Sequence, residues 1–324
     1  MQNIRTIIKK IPRVITTRVD RWIILVAAVA FFLWYPGQNR YVVEQFAGIK
    51  KPAAIEIPIP APYPVNKTGI VPGIEISARA VVVQDLTSGV YIFKRNSTER
   101  LSPASTTKIL SALVVFDAMK LDDIVTVGPI KNNGQVMGLI EGERMTVENL
   151  LYGLLIQSGN DAGYALANAY PGGAEEFVVA MNKKAEELHL SVSHFTNPVG
   201  YDDPNHYMTA EDLSRLADVA LSNKTVAKMV GIPQITVSDV THTYFHKLSN
   251  VNQLLGKIPG VAGIKTGWTE EAGENLVTLI ERNGRRVIIV VLKSADRFGD
   301  TIRLIDWTFA NIEWQTYTLQ EDNR

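Results

Sequence analysis

The chain has 324 residues, 46% hydrophobic and 20% charged, with a formal net charge of zero. That length allows one large domain or two small ones, and the composition is that of a globular protein. The balanced charge lacks the basic excess that a nucleic-acid partner requires, and the absence of cysteine removes thiol catalysis, cysteine metal sites and disulfides.

Residues 1–21 form a basic segment in which only Asp20 opposes Arg5, Lys9, Lys10, Arg13, Arg18 and Arg21. Ile4, Ile7, Ile8 and Ile11 recur at helical spacing, which suits a short helix on an anionic membrane face, until Pro12 cuts the pattern. An apolar run from Trp22 to Tyr35 follows. A basic flank before an apolar run stays in the cytoplasm and sends the following chain outward. The run is shorter than the roughly 20 residues of a membrane span, so a cleaved signal peptide is the rival reading. Against cleavage, the small-residue pattern Ala28-Val29-Ala30 lies inside the run. Phe31, Phe32, Trp34 and Tyr35 suit the outer interfacial belt of a retained anchor. Residues 22–38 are therefore expected to be a single membrane anchor, with the rest of the chain on the extracytoplasmic side. Residues 39–74 carry Pro52, Pro58, Pro60, Pro62, Pro64 and Pro72 and read as a stiff spacer.

Residues 75–324 read as one domain. Ala80–Val83 and Val90–Phe93 are expected strands around Thr87-Ser88-Gly89, a hairpin signal. Helices are expected over Ser105–Met119, Thr146–Ile156, Glu175–Leu188 and Ala210–Leu221. Thr146 is placed as an N-cap, and Thr209 with Asp212 resembles a capping box. Strands return at Val261–Lys265, Leu276–Glu281 and Val287–Leu292, the last two joined by Asn283-Gly284, a strong hairpin turn. A final helix covers Asp296–Ala310. Strands at both ends with helices between predict a mixed α/β (α+β) domain. Its antiparallel sheet comes from both chain ends, is flanked by helices and carries an inserted helical block.

Three short motifs carry the chemistry. In Ser105-Thr106-Thr107-Lys108, residues three apart share a helix face, so Lys108 reaches the Ser105 hydroxyl. A serine is a poor nucleophile until a base takes its proton, and a lysine serves only when neutral. Ser158-Gly159-Asn160 can set a hydroxyl and an amide beside that serine. Lys265-Thr266-Gly267 ends a strand, where lysine and threonine can hold a carboxylate. Its glycine is read as clearing the strand edge for an extended peptide. Each motif alone is ordinary, and Lys67-Thr68-Gly69 repeats the third among prolines with no strand expected around it. That copy is set aside as coincidence.

The order and context of the three make a specific set. With Pro103-Ala104-Ser105, Gln157 through Ala162, Phe195 through Gly200, Thr209 through Leu213 and Gly263 through Thr269, the chain resembles the low-molecular-weight penicillin-binding proteins, the D-alanyl-D-alanine carboxypeptidase family. The resemblance covers roughly residues 75–312. It implies a penicillin-binding/β-lactamase-like fold and a serine D,D-carboxypeptidase acting on peptidoglycan stem peptides. β-Lactams are then the covalent inhibitors. By the same resemblance Ser105 is the nucleophile and Lys108 its base. Ser158 relays a proton, and Asn160 orients the substrate amide and Lys108. Lys265 and Thr266 bind the terminal carboxylate beside Gly267, and the backbone N–H groups of Ser105 and Trp268 form the oxyanion hole. No cofactor is implied. Tyr201 and Met208 depart from the family's usual leucine and serine and are read as packing variation away from the motifs.

A D,D-endopeptidase that cuts cross-links shares every motif and stays open. A class A β-lactamase needs a loop glutamate four residues before an asparagine, and Glu175, Glu176, Glu186 and Glu187 all lack one. A non-catalytic scaffold has no use for an intact motif set. His242 and His246 invite a metal reading, but strand-like Thr243-Tyr244-Phe245 between them spaces them about 13 Å apart. No His-Glu-x-x-His is present. His206 is assigned to packing or hydrogen bonding.

Overall fold

The computed structural model describes residues 21–34, 60–69, 73–129 and 133–317. The chain divides into two compact units, residues 1–58 and 59–324. In the first unit, helix α1 (Arg21–Trp34) carries the expected apolar run. Its 14 residues rise about 21 Å, short of the roughly 30 Å hydrocarbon layer of a bilayer. No helix among the described residues is long and apolar enough to cross a membrane. The basic segment to residue 20, the end of the expected anchor at 35–38 and spacer residues 39–59 lie outside the described residues.

Residues 63–66, expected to belong to the spacer, form a strand. Strand β1 (Tyr63–Asn66) pairs antiparallel with a C-terminal strand, Ile312–Gln315, so this stretch is tied into the second unit. Pro64 is tolerated because β1 has a single neighbour and needs no donor on its open side. Lys67-Thr68-Gly69 follows β1 directly, against the expectation that no strand lay nearby. The Lys67 ammonium donates to the carbonyls of Phe309 and Ala310, near the end of the C-terminal helix. A cation suits that helix end.

The main sheet is antiparallel. It holds β2 (Ala80–Asp85), β3 (Tyr91–Arg95), and three later strands, Val261–Thr269, Gly273–Arg282 and Arg285–Ser294, named β8, β9 and β10 below. Their order is β3-β2-β10-β9-β8. Two strands precede the helical block and three follow it, as expected. β3 starts at Tyr91 because Val90 still belongs to the turn, where its carbonyl accepts the Asp85 N–H. The Asp85 carboxylate closes the same turn by accepting from Ser88 N–H and O–H. Asn283 and Gly284 sit at φ 54° and 70°. A two-residue hairpin loop of this hand requires both, and asparagine and glycine meet that requirement with least strain.

Between β3 and β8 come α2 (Lys108–Ala118), β4 (Ile124–Thr126), β5 (Arg144–Thr146), α3 (Val147–Leu155), α4 (Asn160–Ala169), α5 (Gly173–Glu187), α6 (Ala210–Ser222), α7 (Lys224–Val230), β6 (Gln234–Ser238) and β7 (Phe245–Ser249). After β10 come α8 (Arg297–Asn311) and β11 (Ile312–Gln315), the partner of β1. The sequence pattern anticipates α2, α3, α5, α6 and α8. It misses α4, which opens on the motif asparagine itself, the short helix α7, and the small ribbons β4–β5 and β6–β7. Thr146 caps α3 by accepting the Asn149 N–H at 3.2 Å. The capping box at α6 forms by half. Thr209 Oγ1 accepts the Asp212 N–H, but the Asp212 carboxylate turns away to Val192 N–H and Ser193 O–H.

The sheet is apolar on both faces because successive side chains alternate across it. Val82, Val277, Leu279, Ile288 and Val290 join the helical block, while Val81, Val83, Leu276, Ile289 and Val291 pack with Leu304 and Ile305 of α8. β8 is left as an edge, with β9 its one partner in the sheet. Asp300, buried in the first turn of α8, ties this layer to the sheet. It accepts from Ser77 N–H and O–H, Ala78 N–H, Ser294 O–H and Arg303. Burial pushes its pKa up, but the bonds from Ser294, Ser77 and Arg303 outweigh that and hold the carboxyl below its ordinary value. Asp300→Ala strands those buried donors, so it is expected to lower stability by about 3 kcal/mol. Urea unfolding measures this, and an unchanged midpoint would show that the network is not coupled to folding.

Candidate active site

The nucleophile motif begins in a tight 3-10 turn, Ala104–Thr107, and not in the α-helix that its apolar run predicts. Ala104 sits at φ 47°, and Thr106 Oγ1 closes the turn by donating to the Pro103 carbonyl at 2.7 Å. α2 starts at Lys108, whose side chain is fully buried. The spacing of three still aligns the pair. Lys108 Nζ donates to Ser105 Oγ at 2.8 Å and to the Val199 carbonyl at 2.8 Å. Both acceptors are uncharged. Burial first, and the nearby Lys265 second, hold the Lys108 amine well below the ordinary lysine range. A lysine so placed can accept the proton of a serine hydroxyl.

Ser158 lies in the loop between α3 and α4 at φ 62°. Its Oγ accepts from Lys265 Nζ at 2.7 Å. Asn160, the first residue of α4, donates through Nδ2 to the Asn133 carbonyl at 2.7 Å. That bond ties it to the loop that begins at Asn133. The adjoining Asp161 holds the same loop by accepting the N–H groups of Met137, Gly138 and Leu139.

Lys265 is buried on β8, and burial first, then Arg297, lowers its pKa to about 7. Gly267 has a packing reason that its sequence does not show. A Cβ there would lie 2.9 Å from the Pro103 carbonyl oxygen and 3.1 Å from Ala104 Cβ. Glycine lets β8 lie against the nucleophile turn. Gly200 does the same from the other side, since a Cβ there would overlap the Ala104 carbonyl.

The structure brings Ser105, Ser158, Asn160, Thr266, Gly267 and Trp268 to one cleft of about 650 Å³. Lys108 and Lys265 form its buried floor through their bonds to the two serines. The Trp268 indole is 63% exposed at the rim.

Sequence reasoning missed Arg297. This first residue of α8 lines the cleft, donates through Nη1 to the Gly267 carbonyl at 2.9 Å, and keeps a buried Nε with no hydrogen-bond partner. Nothing local marks it, because an arginine opening a helix is ordinary. Tyr201 was read as remote packing, but it lines the cleft and its hydroxyl donates to the Asn133 carbonyl at 3.0 Å. Met208 is core, as read. His206 is buried under the nucleophile turn. Its Nδ1 accepts the Thr196 N–H at 3.1 Å, so Nε2 carries the proton and donates to Thr107 Oγ1 at 2.8 Å. Burial lowers its pKa to about 4, so it stays neutral at physiological pH.

His242 and His246 do not share a strand face. His242 sits in the β6–β7 turn beside Ser238 Oγ, and β7 begins only at Phe245. His246, on β7, is buried 2.6 Å from Glu143. Glu175, Glu176, Glu186 and Glu187 are exposed on α5, as the sequence suggested.

A family model described as D-alanyl-D-alanine carboxypeptidase matches residues 66–296. The Bacillus subtilis D-alanyl-D-alanine carboxypeptidase DacF is 34% identical over 257 residues, 76% of this chain and 65% of that protein. The chain thus spans slightly under two thirds of that relative's length. The Mycobacterium tuberculosis carboxypeptidase DacB2 is 33% identical over 76% of this chain and 87% of its own. Among solved structures, the Streptomyces K15 DD-transpeptidase superposes with a TM-score of 0.70 at 33% identity, covering 74% of this chain and all of that one. Penicillin-binding protein D2 of Listeria monocytogenes, in its ampicillin-bound form, gives 0.66 at 28% identity, covering 74% of this chain and 99% of its own.

The buried lysines leave a thermodynamic signature. Between about pH 7 and 10.5 the unfolded chain carries a proton at position 265 that the folded chain has released. The unfolded state then binds more protons, so stability rises with pH, by up to about 1.4 kcal/mol per unit for one proton. Lys265→Met is expected to flatten that slope in urea titrations across this range. Parallel slopes for the two proteins would show that Lys265 has an ordinary pKa when folded.

Proposed function

We propose that this chain, which belongs to the D-alanyl-D-alanine carboxypeptidase family, removes the terminal D-alanine from peptidoglycan stem peptides through an acyl-enzyme on Ser105. The observation that carries the reading is the fully buried Lys108 amine, 2.8 Å from Ser105 Oγ and held well below its ordinary pKa. Ser105 attacks the carbonyl between the two D-alanines while neutral Lys108 takes its proton. The backbone N–H groups of Ser105 and Trp268 receive the developing oxyanion, each such donor typically worth about 3 kcal/mol. Ser158, bonded to Lys265, passes a proton to the departing amine. Asn160 orients the substrate amide. The leaving D-alanine carries a free carboxylate, which Thr266 and Arg297 of the cleft wall, with the charge of the buried Lys265, can receive. Water then releases the acyl group and regenerates Ser105. β-Lactams acylate the same oxygen.

The test is D-alanine release from a peptide ending in D-Ala-D-Ala. Wild type is expected to release it, and Ser105→Ala to lose at least three orders of magnitude while keeping its fold by circular dichroism. Wild type that takes up penicillin covalently but releases no D-alanine would shift the assignment to a D,D-endopeptidase. Wild type without release or adduct would leave a non-catalytic scaffold.

The N-terminal segment is proposed to hold the catalytic unit on the extracytoplasmic face of the membrane. The basic flank ahead of the apolar run of α1 supports this. Full-length protein is expected in the membrane fraction after alkaline carbonate washing, with Met1 or Gln2 as its first residue. A soluble product beginning after the apolar run would establish a cleaved signal instead.

A further inference from the structure

The spacing of Ser105 and Lys108 brings a hydroxyl to an amine, but it does not aim the amine. A neutral amine has two N–H bonds and one lone pair, and only the lone pair takes a proton. The lone pair must therefore face Ser105 Oγ, within hydrogen-bond reach, while an N–H is held elsewhere. The Val199 carbonyl provides that hold, 2.8 Å from Lys108 Nζ. With one N–H fixed there, the amine can turn its lone pair onto Oγ and the hydroxyl becomes the donor.

Val199 is placed in turn by one side chain. Asn197 Oδ1 accepts the N–H groups of Val199, Gly200 and Tyr201 at 3.2, 2.8 and 2.9 Å. Its Nδ2 donates to the Tyr201 carbonyl at 3.0 Å. Exchanging Oδ1 and Nδ2 would set N–H against N–H at three positions. The orientation of this amide thus decides where the Val199 carbonyl points.

His206 fixes the orientation. Its Nδ1 faces the Thr196 N–H at 3.1 Å, Thr196 Oγ1 at 3.3 Å and Asn197 Nδ2 at 3.3 Å. A bare Nδ1 receives Nδ2 and repels Oδ1, because two lone pairs cannot face each other favourably. The ring proton sits on Nε2 and is donated to Thr107 Oγ1 at 2.8 Å. Thr107 ends the nucleophile turn, immediately before Lys108. One buried imidazole therefore bonds to both segments that meet at Lys108 Nζ. Burial keeps the ring neutral, so each nitrogen keeps its role.

We propose that His206, through its Nε2–H tautomer and the Asn197 amide, is a positioning residue that aims the Lys108 lone pair at Ser105. The inference rests on acylation of Ser105 in the carboxypeptidase reading. It extends that reading to a side chain that touches neither substrate nor reacting atoms.

The experiment measures benzylpenicillin acylation of the full-length protein, recording the single-turnover rate constant and the final adduct per chain. His206→Phe keeps an aromatic ring against Phe195 but loses both nitrogens. Misplacing a catalytic group by about 1 Å costs on the order of a hundredfold, so this variant should acylate slower by that factor while still reaching full labelling. His206→Gln carries an acceptor and a donor and should recover most of the rate. Should His206→Phe fail to fold, Thr107→Val removes only the acceptor of the Nε2 proton and should slow acylation in the same sense. Long-range nitrogen-15 spectra of histidine-labelled wild type should show a protonated Nε2 and a bare Nδ1 for His206 at neutral pH, the signal being assigned by its loss in His206→Gln. A wild-type rate constant in His206→Phe overturns the proposal, as does incomplete labelling at an unchanged rate, which marks a purely structural role. His206→Gln as slow as His206→Phe, or a proton on Nδ1, overturns it too. D-Alanine release is followed alongside, so failure of the carboxypeptidase reading shows separately, as wild-type adduct without release. Wild type that forms no adduct overturns the Ser105 assignment and this inference with it.

Discussion

An amine buried without a counter-ion is the constraint around which this molecule is arranged. Lys108 Nζ touches two neutral oxygens, and the helix that carries it is enclosed along Ile109, Leu110 and Ala112. Desolvation alone disfavours its charge, and the neighbouring cations add to the effect in sequence. Arg297 depresses Lys265, and Lys265 depresses Lys108. The row therefore grades from a permanent cation at the cleft wall to an unprotonated base beside the nucleophile. One end suits a carboxylate and the other a serine proton, and the same field supplies both.

Keeping that row in register requires rigid backbone on each side of the nucleophile turn. Gly267 on β8 and Gly200 on the loop before α6 approach Pro103, Ala104 and Thr107 too closely for any side chain. Neutral His206 braces the turn from beneath through Thr107. Asp202 links the outer edges, accepting from Ser102 Oγ at 3.0 Å and Thr269 Oγ1 at 2.6 Å. Ser105 is thus gripped by segments from both the sheet and the helical block. The cleft lies on the seam between them, where the unpaired edge of β8 faces the loop ahead of α4.

The same seam explains which parts of the fold were legible. The continuous apolar runs of β2, β9 and β10 and the apolar periodicity of α2, α3, α5 and α6 are local patterns, and each element formed close to its expected bounds. The ribbons β4–β5 and β6–β7 are short, and their strands lack a strong pattern of their own. β1 was hidden among prolines and exists because β11 returns to pair with it. Lys67-Thr68-Gly69 sits beside a strand as Lys265-Thr266-Gly267 sits in one, yet its lysine caps a helix end far from any nucleophile in the chain order.

What the sequence determined by itself was the set of side chains that share one local element. Ser105 and Lys108 lie three apart, and that spacing aligns them even though a 3-10 turn replaces the expected start of the α-helix. Lys265 to Trp268 lie on one strand, and Asn283-Gly284 turns one hairpin. Tertiary structure alone decided the rest. It brought Lys265 to Ser158, Arg297 to Gly267, His206 to Thr107, and Tyr201 into the cleft wall. Contacts between residues far apart in the chain leave no periodic trace near either partner. Their geometry is set by how the sheet, the helical block and their glycine contacts pack, and only the folded chain reports it.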